Sequence, residues 1–349
     1  VQQGAGAAAG FADSAYADAG AELAPGAADV LGGSDAVLKV QAPSPREAGA
    51  VKEGAVLVAL FTPARNVEAV QALAARQVAA HSLELLPRTT RAQSMDALSS
   101  QSTVAGYRSV LIAAGRLHRF FPMLMTAAGT VPPAKVLVLG AGVAGLQAIA
   151  TARRLGAVVM AYDVRSAAEG EVRSLGARFL NLGLGTADAA GGYAAELGEG
   201  AQSAQHAALT PHLTEADVVI TTAQIPGRRA PLLVTREMVQ RMRPGSIVVD
   251  LASDTGGNVE ISEAGREIDF GGVAVIGVSN PASALPTHAS QMYSRNVANL
   301  VLLMTRPAED GTGRLEPDYS DEIMAETCVT RGGQIVHEPT RAAAGADRP

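Results

Sequence analysis

Val136-Leu-Val-Leu139 runs directly into Gly140-Ala-Gly142-Val-Ala-Gly145, and an apolar, helix-spaced stretch then leads to Ala157-Val-Val-Met-Ala-Tyr162 and Asp163. The order is strand, glycine-rich turn, helix, strand, carboxylate. Each residue type answers a physical demand. Gly140 permits the tight turn after the strand. Gly142 lets the backbone approach a diphosphate that a Cβ would hold off, and Gly145 lets the helix lie close to the strand. The helix N-terminus adds N–H groups without helical acceptors and a partial positive charge. Gly140, Ala141, Gly142, Val143, Ala144 and Gly145 therefore read as a phosphate cradle. Asp163 follows Gly145 by 18 residues, at the end of the second strand, where it can accept hydrogen bonds from an adenosine ribose. An acid there repels a 2′-phosphate and favours NAD(H) over NADP(H). Arg165, two residues on, weakens that preference slightly; such an arginine more often stacks on adenine or faces solvent. A glycine-rich turn alone also occurs without a ligand. The flanking strand, the helix and the acid make this one a dinucleotide-binding motif.

The alternation continues downstream, with strands expected at Val136–Leu139, Val158–Tyr162, Asp217–Thr221, Ser246–Asp250 and Val273–Ile276 and helices at Ala144–Leu155 and Thr235–Arg241. Strands alternating with helices imply a parallel sheet. Ligands on such sheets sit at the carboxyl ends of the strands. The loops beginning Thr221-Thr-Ala223-Gln224 and Asp250-Leu-Ala-Ser-Asp254 are therefore expected near the nicotinamide half, the alternative for each being an ordinary turn. Gly183 to Gln205 is rich in Gly and Ala with little periodicity, a candidate mobile loop.

Upstream, Ala21–Leu23 and Ala27–Leu31 read as short helical pieces, Ala36–Val40 and Ala55–Phe61 as strands, and Asn66–Ala75 as an amphipathic helix. Ser94 to Ala128 reads as one long helical segment that Pro132-Pro133 closes. Near the C-terminus, Ser290–Met304 reads as a helix, Pro307–Gly313 as a linker, Cys328–Val336 as a hairpin around Gly332-Gly333, and the tail beyond Pro339 as frayed. No internal repeat is visible.

Composition narrows the function. The chain has 349 residues, 48% apolar and 18% charged, with a formal charge of −6. That balance supports a packed core of about two domains and excludes a disordered chain. No cluster of Lys and Arg suits nucleic acid. A single cysteine, Cys328, excludes a disulfide framework and any multi-cysteine metal site, and it reads as a packing residue. No basic stretch followed by an apolar one marks a secretory signal. The charge-free run Val136–Ala152 is 17 residues long, short of the roughly 20 that span a bilayer, so a soluble protein is expected. None of the histidines His81, His118, His206, His212, His288 and His337 stands at ligand spacing from another or from the cysteine, so no metal site is expected.

One segment is unusual. Arg88-Thr-Thr-Arg91-Ala-Gln93-Ser-Met-Asp96-Ala-Leu-Ser99 gathers two cations, a carboxylate, an amide and hydroxyls into twelve residues. Helix capping by Ser94 or Ser99, with surface roles for the rest, is the plain reading. The segment also carries a resemblance. Together with Met125-Thr-Ala-Ala-Gly-Thr-Val-Pro-Pro133, Gly140 to Gln147, Asp163-Val164-Arg165, Gly191-Gly-Tyr193-Ala and Cys328-Val-Thr-Arg331, it resembles the soluble NAD(H)-binding component of the proton-translocating NAD(P) transhydrogenases, over about Val1 to Val336. The Arg-Ala-Gln-Ser-Met-Asp stretch separates that family from the related alanine dehydrogenases.

The resemblance implies a function. NADH bound here would pass hydride to NADP+ held by a partner, coupled to proton movement through membrane-spanning subunits. Arg88, Gln93, Asp96 and Ser99 would orient the dihydronicotinamide. Asp163, with Val164 and Arg165, would hold the adenosine end. Tyr193 would sit on a loop closing over the nucleotide, and Ala223, Gln224 and Asp254 would flank the nicotinamide half. Hydride transfer between two nicotinamides needs orientation and exclusion of water rather than an acid or base, so the lack of a catalytic histidine is expected. The resemblance also implies a homodimer, located in the cytoplasm and peripheral to the inner membrane through its partner subunits.

The implied architecture is α/β, with two doubly wound, Rossmann-like parallel-sheet domains separated by a cleft. A discontinuous outer domain spans 1–128 and 297–349, and the NAD(H)-binding domain spans 129–296. Three departures stand out. The family begins with about 35 more residues, so the outer domain is expected to be N-terminally truncated and to lack a strand. Asp254 stands where Glu is usual, and the loop before Tyr193 is shorter. Two other functions compete. An alanine dehydrogenase would need a histidine after the second apolar strand, where Leu60-Phe-Thr-Pro-Ala-Arg65 has none, although Lys39 stands at that family's substrate-lysine position. A degenerate NAD-binding module without turnover is the third reading.

Overall fold

The computed structural model describes residues 1–184, 198–224, 229–308 and 313–346. Tyr193 lies outside them. The chain divides into two compact units, Val1–Gln101 with Pro286–Pro349, and Ser102–Leu285. The first junction lies before the 128/129 read from the sequence because Ala105, Val110 and Ala113 of the helix Ala97–Arg116, and Leu117 just beyond it, join the same core as Val136 and Val138; the second lies at 285/286 rather than 296/297.

The first unit carries a five-stranded sheet in the order β1-β2-β3-β15-β16: β1 Ala36–Gln41, β2 Val56–Leu60, β3 Ala79–Ser82, β15 Cys328–Arg331 and β16 Gln334–Ile335. The first three strands are parallel; β15 runs antiparallel to β3 and forms the expected hairpin with β16. Alternation along β2 sends Leu57 and Ala59 to one core and Val56 and Val58 to another, so both sheet faces are covered. At the sheet edge, Leu38 and Val40 of β1 are exposed.

The second unit holds seven strands: β6 Lys135–Leu139, β7 Val158–Tyr162, β8 Arg178–Phe179, β9 Val218–Thr221, β10 Ile247–Asp250, β11 Glu267–Phe270 and β12 Val273–Gly277. Their order is β11-β12-β10-β9-β6-β7-β8, parallel except for the edge strand β11. Val136 and Val138 of β6 enter one core, while Leu137 and Leu139 enter the other. From β6 the chain goes to β7 and β8 on one side and then returns to β9 and β10 on the other. That reversal makes β6/β9 the switch point where an open α/β sheet leaves a crevice. Register sharpens it. Leu139 pairs with both Tyr162 and Thr221, and Thr221 pairs with Asp250. The loops following all four strands therefore leave from one edge.

Several expectations are corrected. The long helix stops at Arg116, not Ala128. Pro122 lacks an N–H and disfavours helix at Phe121, and the chain turns into a hairpin of β4 Leu124–Thr126 and β5 Gly129–Val131. The linker at 307–313 is flanked by a second hairpin, β13 Thr305–Pro307 with β14 Gly313–Leu315. Ala21–Leu23 is not helical; the helix there is Asp13–Asp18. The tail is not frayed over its described part, since Glu338–Ala346 is a helix that buries Thr340. Gln205, assigned to the candidate loop, lies inside the helix Glu199–Glu215, buried with its amide donating to the Tyr162 hydroxyl at 3.0 Å.

Candidate dinucleotide site

Gly140 leaves β6 with φ +99°, a conformation that side chains avoid. A Cβ there would lie 2.7 Å from Thr222 Oγ1, and one at Gly145 would lie 1.9 Å from the Gly140 carbonyl oxygen. Both glycines are therefore demanded by packing within the protein. Gly142 differs, because a Cβ there would meet nothing within 4 Å. It caps the helix Val143–Arg154 at its N-terminal end, with Gly142 and Val143 exposed and Ala144 half-buried. The open approach at Gly142, on first-turn N–H groups that have no acceptor within the helix, fits a diphosphate. Within the same unit, Gly106 brings the helix Ala97–Arg116 against the backbone of Ala144, where a Cβ would fall 2.1 Å from its carbonyl oxygen.

Asp163 stands beside this turn. Its Oδ2 accepts the Ala141 N–H at 2.7 Å, and its Oδ1 accepts the Arg165 N–H at 2.9 Å. The Arg165 guanidinium completes a fork, with Nε donating to Oδ1 at 2.9 Å and Nη2 to Oδ2 at 2.8 Å. Only 7% of the Asp163 side chain is exposed. Burial pushes its pKa up, but the Arg165 fork and the two backbone N–H groups outweigh burial and hold the carboxyl below its ordinary value. A cavity of about 140 Å³ adjoins it, lined by Asp163, Val164 and Arg165 and by Asn181, Leu182 and Leu184. An anionic group joined to the phosphate turn, with a cavity alongside, suits the adenosine end of a dinucleotide.

The loops after β9 and β10 are tied to this turn by residues that the sequence reading gave no role. Thr222 Oγ1 donates to the Gly140 carbonyl at 3.0 Å, bracing the turn. Asp250 is fully buried and accepts from the Thr221 hydroxyl at 3.0 Å and from the N–H groups of Ala252 at 2.9 Å and Asn258 at 3.0 Å. Asn258 donates onward to the carbonyls of Ala223 and Pro231. Gln224 donates to the Leu251 carbonyl at 2.9 Å, and Asp254 accepts the Asn280 N–H at 3.0 Å. Ala223, Gln224 and Asp254 are thus held in braced loops at the carboxyl edge of the sheet. An acid closing an otherwise apolar strand was the one signal for Asp250.

Arg88, Gln93, Asp96 and Ser99 belong to the first unit. Arg88 and Gln93 are exposed, and a 3₁₀ turn, Thr90–Met95, leads into the helix at Ala97. Asp96 caps that helix, accepting the Ser99 N–H at 2.8 Å and the Ser99 hydroxyl at 2.5 Å. The cap is therefore Asp96, not Ser94 or Ser99. The Ser94 carbonyl accepts from Asn296 at 2.9 Å and Asn299 at 3.1 Å, and Arg91 pairs with Asp321. These bonds fix the segment to the helix Pro286–Leu303 and to the N-cap of Glu322–Thr327.

Elsewhere, His81 is sealed beneath Tyr319, with Nδ1 on Thr327 Oγ1 at 2.9 Å, and burial lowers its pKa to about 4. Burial pushes the Cys328 thiol up to about 11, as suits a packing residue. Among the described residues no group of three His, Cys, Asp or Glu side chains could hold a metal, and no helix is long and apolar enough to cross a membrane.

Residues 1–105 match the family model described as alanine dehydrogenase/PNT, N-terminal domain, and residues 109–338 match its C-terminal domain. The first of the polypeptides that make up NAD(P) transhydrogenase subunit alpha in Rhodospirillum rubrum is 48% identical over 97% of this chain and 89% of its own length. A solved transhydrogenase from Sinorhizobium meliloti superposes with a TM-score of 0.82 at 44% identity, over 97% of this chain and 89% of that one. Alanine dehydrogenase of Bacillus subtilis is more distant, at 31% identity over 86% of this chain and 77% of its own. The cradle, the buried acid and these likenesses agree: the chain belongs to the alanine dehydrogenase/PNT family, among the NAD(P) transhydrogenase alpha subunits.

Proposed function

We propose that this chain is the NAD(H)-binding oxidoreductase subunit of a proton-translocating NAD(P) transhydrogenase. NADH, when bound, supplies the hydride, and NADP+ is held by a partner subunit. Gly140 to Gly145 bind the diphosphate through backbone N–H groups. Asp163 accepts from the adenosine ribose, and Val164 and Arg165 border the adenine end. Ala223, Gln224 and Asp254 line the nicotinamide half, with Asp250 and Asn258 fixing their loops. Arg88, Gln93, Asp96 and Ser99 orient the dihydronicotinamide. No residue needs to move a proton at the reacting carbon, in keeping with a sealed His81 and a raised Cys328 thiol.

The observation that carries the reading is the 2.7 Å bond from the Ala141 N–H to Asp163, which joins the phosphate turn to the ribose acid in one unit. A homodimer and membrane-bound partner subunits complete the assembly, with this chain on the cytoplasmic face. The exposure of Met125 in the β4–β5 hairpin, 77%, and of Met123 just before it, 56%, supports a subunit contact there. The test is NADH-dependent reduction of an NADP+ analogue by this chain mixed with an NADP(H)-binding transhydrogenase subunit. Turnover that requires both components is expected. Alanine-dependent NAD+ reduction would instead identify an alanine dehydrogenase, and NADH binding without transfer would identify a module that lacks turnover.

A further inference from the structure

A carboxylate has about four acceptor positions, and at Asp163 all four are taken by donors of the chain itself. Two are backbone N–H groups, from Ala141 in the glycine turn and from Arg165 in the loop after β7. The other two are Nε and Nη2 of the Arg165 guanidinium, in the fork geometry that makes arginine–carboxylate pairs strong. The pair is well shielded, with 19% of the arginine side chain and 7% of the aspartate side chain exposed. A ribose diol that bonds to Asp163 must take at least one of those positions, and a side chain moves more readily than a turn.

We infer that Arg165 is a specificity-determining residue that latches Asp163: the guanidinium competes with the adenosine ribose for the carboxylate, and by offsetting its charge it lessens the discrimination against a 2′-phosphate. The inference rests on the NAD(H) reading of this site. Its two consequences have opposite signs for two ligands. Removing the guanidinium leaves the carboxylate to the ribose hydroxyls, so NADH binds more tightly. It also leaves the negative charge of Asp163 unopposed, so NADPH, with its 2′-phosphate, binds more weakly. Among the described residues the other acid at this cavity is Glu169, which is paired with Arg173 one helical turn on.

Equilibrium titrations of NADH and NADPH into the full chain test this with Arg165→Ala and Arg165→Lys, the second retaining a charge that cannot fork. For Arg165→Ala, an NADH dissociation constant lower by about three- to tenfold is expected, the scale of one ion pair, with a higher one for NADPH. Arg165→Lys should fall between Arg165→Ala and the parent chain. In an Asp163→Asn background, Arg165→Ala should no longer tighten NADH, because the latch acts through the carboxylate. Weaker or unchanged NADH binding in Arg165→Ala, with thermal unfolding intact, overturns the latch. Should Arg165→Ala fail to fold, Arg165→Lys binding no more tightly than the parent overturns it equally. Failure of the parent chain to bind NADH at all would instead overturn the NAD(H) reading.

Discussion

At the carboxyl edge of the seven-stranded sheet the polar groups are committed to one another, whereas the 88–99 segment of the other unit keeps much of its chemistry on the surface. The shielded side chain of Asp163 and the buried Asp250 accept backbone N–H groups from the loops they organise. Arg88 and Gln93 are exposed, and only Asp96 is drawn into a helix cap. Under the proposed function the difference follows from the tasks. A diphosphate and a ribose are recognised by fixed N–H groups and a fixed acid, so the backbone must be set in advance. A ring that has to be turned toward a second nucleotide is better served by side chains standing on a pinned segment.

The comparison breaks first at Gly145. Because the added Cβ would fall 1.9 Å from a backbone oxygen that cannot withdraw, Gly145→Ala should abolish NADH binding and cost about 3 kcal/mol or more of stability. Urea unfolding and an NADH titration would measure both. An unimpaired variant would mean that the close packing of turn and helix is dispensable.

The next effect separates the units by pH. His81, in the first unit, titrates at about 4 in the folded chain against an ordinary 6.5, because burial disfavours its charged form. Between those values the unfolded chain binds the extra proton. Stability is therefore complete above about pH 6.5 and falls as pH drops toward 4, by about 3 kcal/mol in all. Asp163, held below its ordinary value, contributes stability that is lost only at more acidic pH. Urea titrations at pH 7 and pH 4.5 should show this loss, and His81→Leu should remove most of it. An unchanged slope in that variant would mean that other groups carry it.

The smallest effect sharpens the role of the 88–99 segment. Asp96→Ala should cost about 1 kcal/mol, the value of a helix cap. Asp96→Asn, an equally good cap, should keep stability. Slow transfer by Asp96→Asn in the coupled assay would assign the charge to the nicotinamide, and normal transfer would leave Asp96 a cap alone.

Much of this was legible in the residues because it is local. Glycines at 140, 142 and 145 and an acid 18 residues later specify turn, helix and strand end within one contiguous stretch, and period-two alternation marks the buried strands. The extent of the helix after Asp96 was not legible from apolar content alone, because Leu117 and Phe121 are core residues whether or not the backbone there is helical. The latch at Asp163 was missed because sequence spacing does not show where a guanidinium points. Asp250 was missed as an organiser because its partners, Thr221 and Asn258, are brought to it by sheet register and loop closure.

The central claim is that the turn at 140–145 and the carboxylate at 163 form one NAD(H) site. Calorimetric titration of NADH into the parent chain and into Asp163→Asn tests it directly. The account predicts one site per chain, weakened by about 1–3 kcal/mol in the variant, the scale of a charge-assisted hydrogen bond. Equal affinity in the two proteins would contradict it.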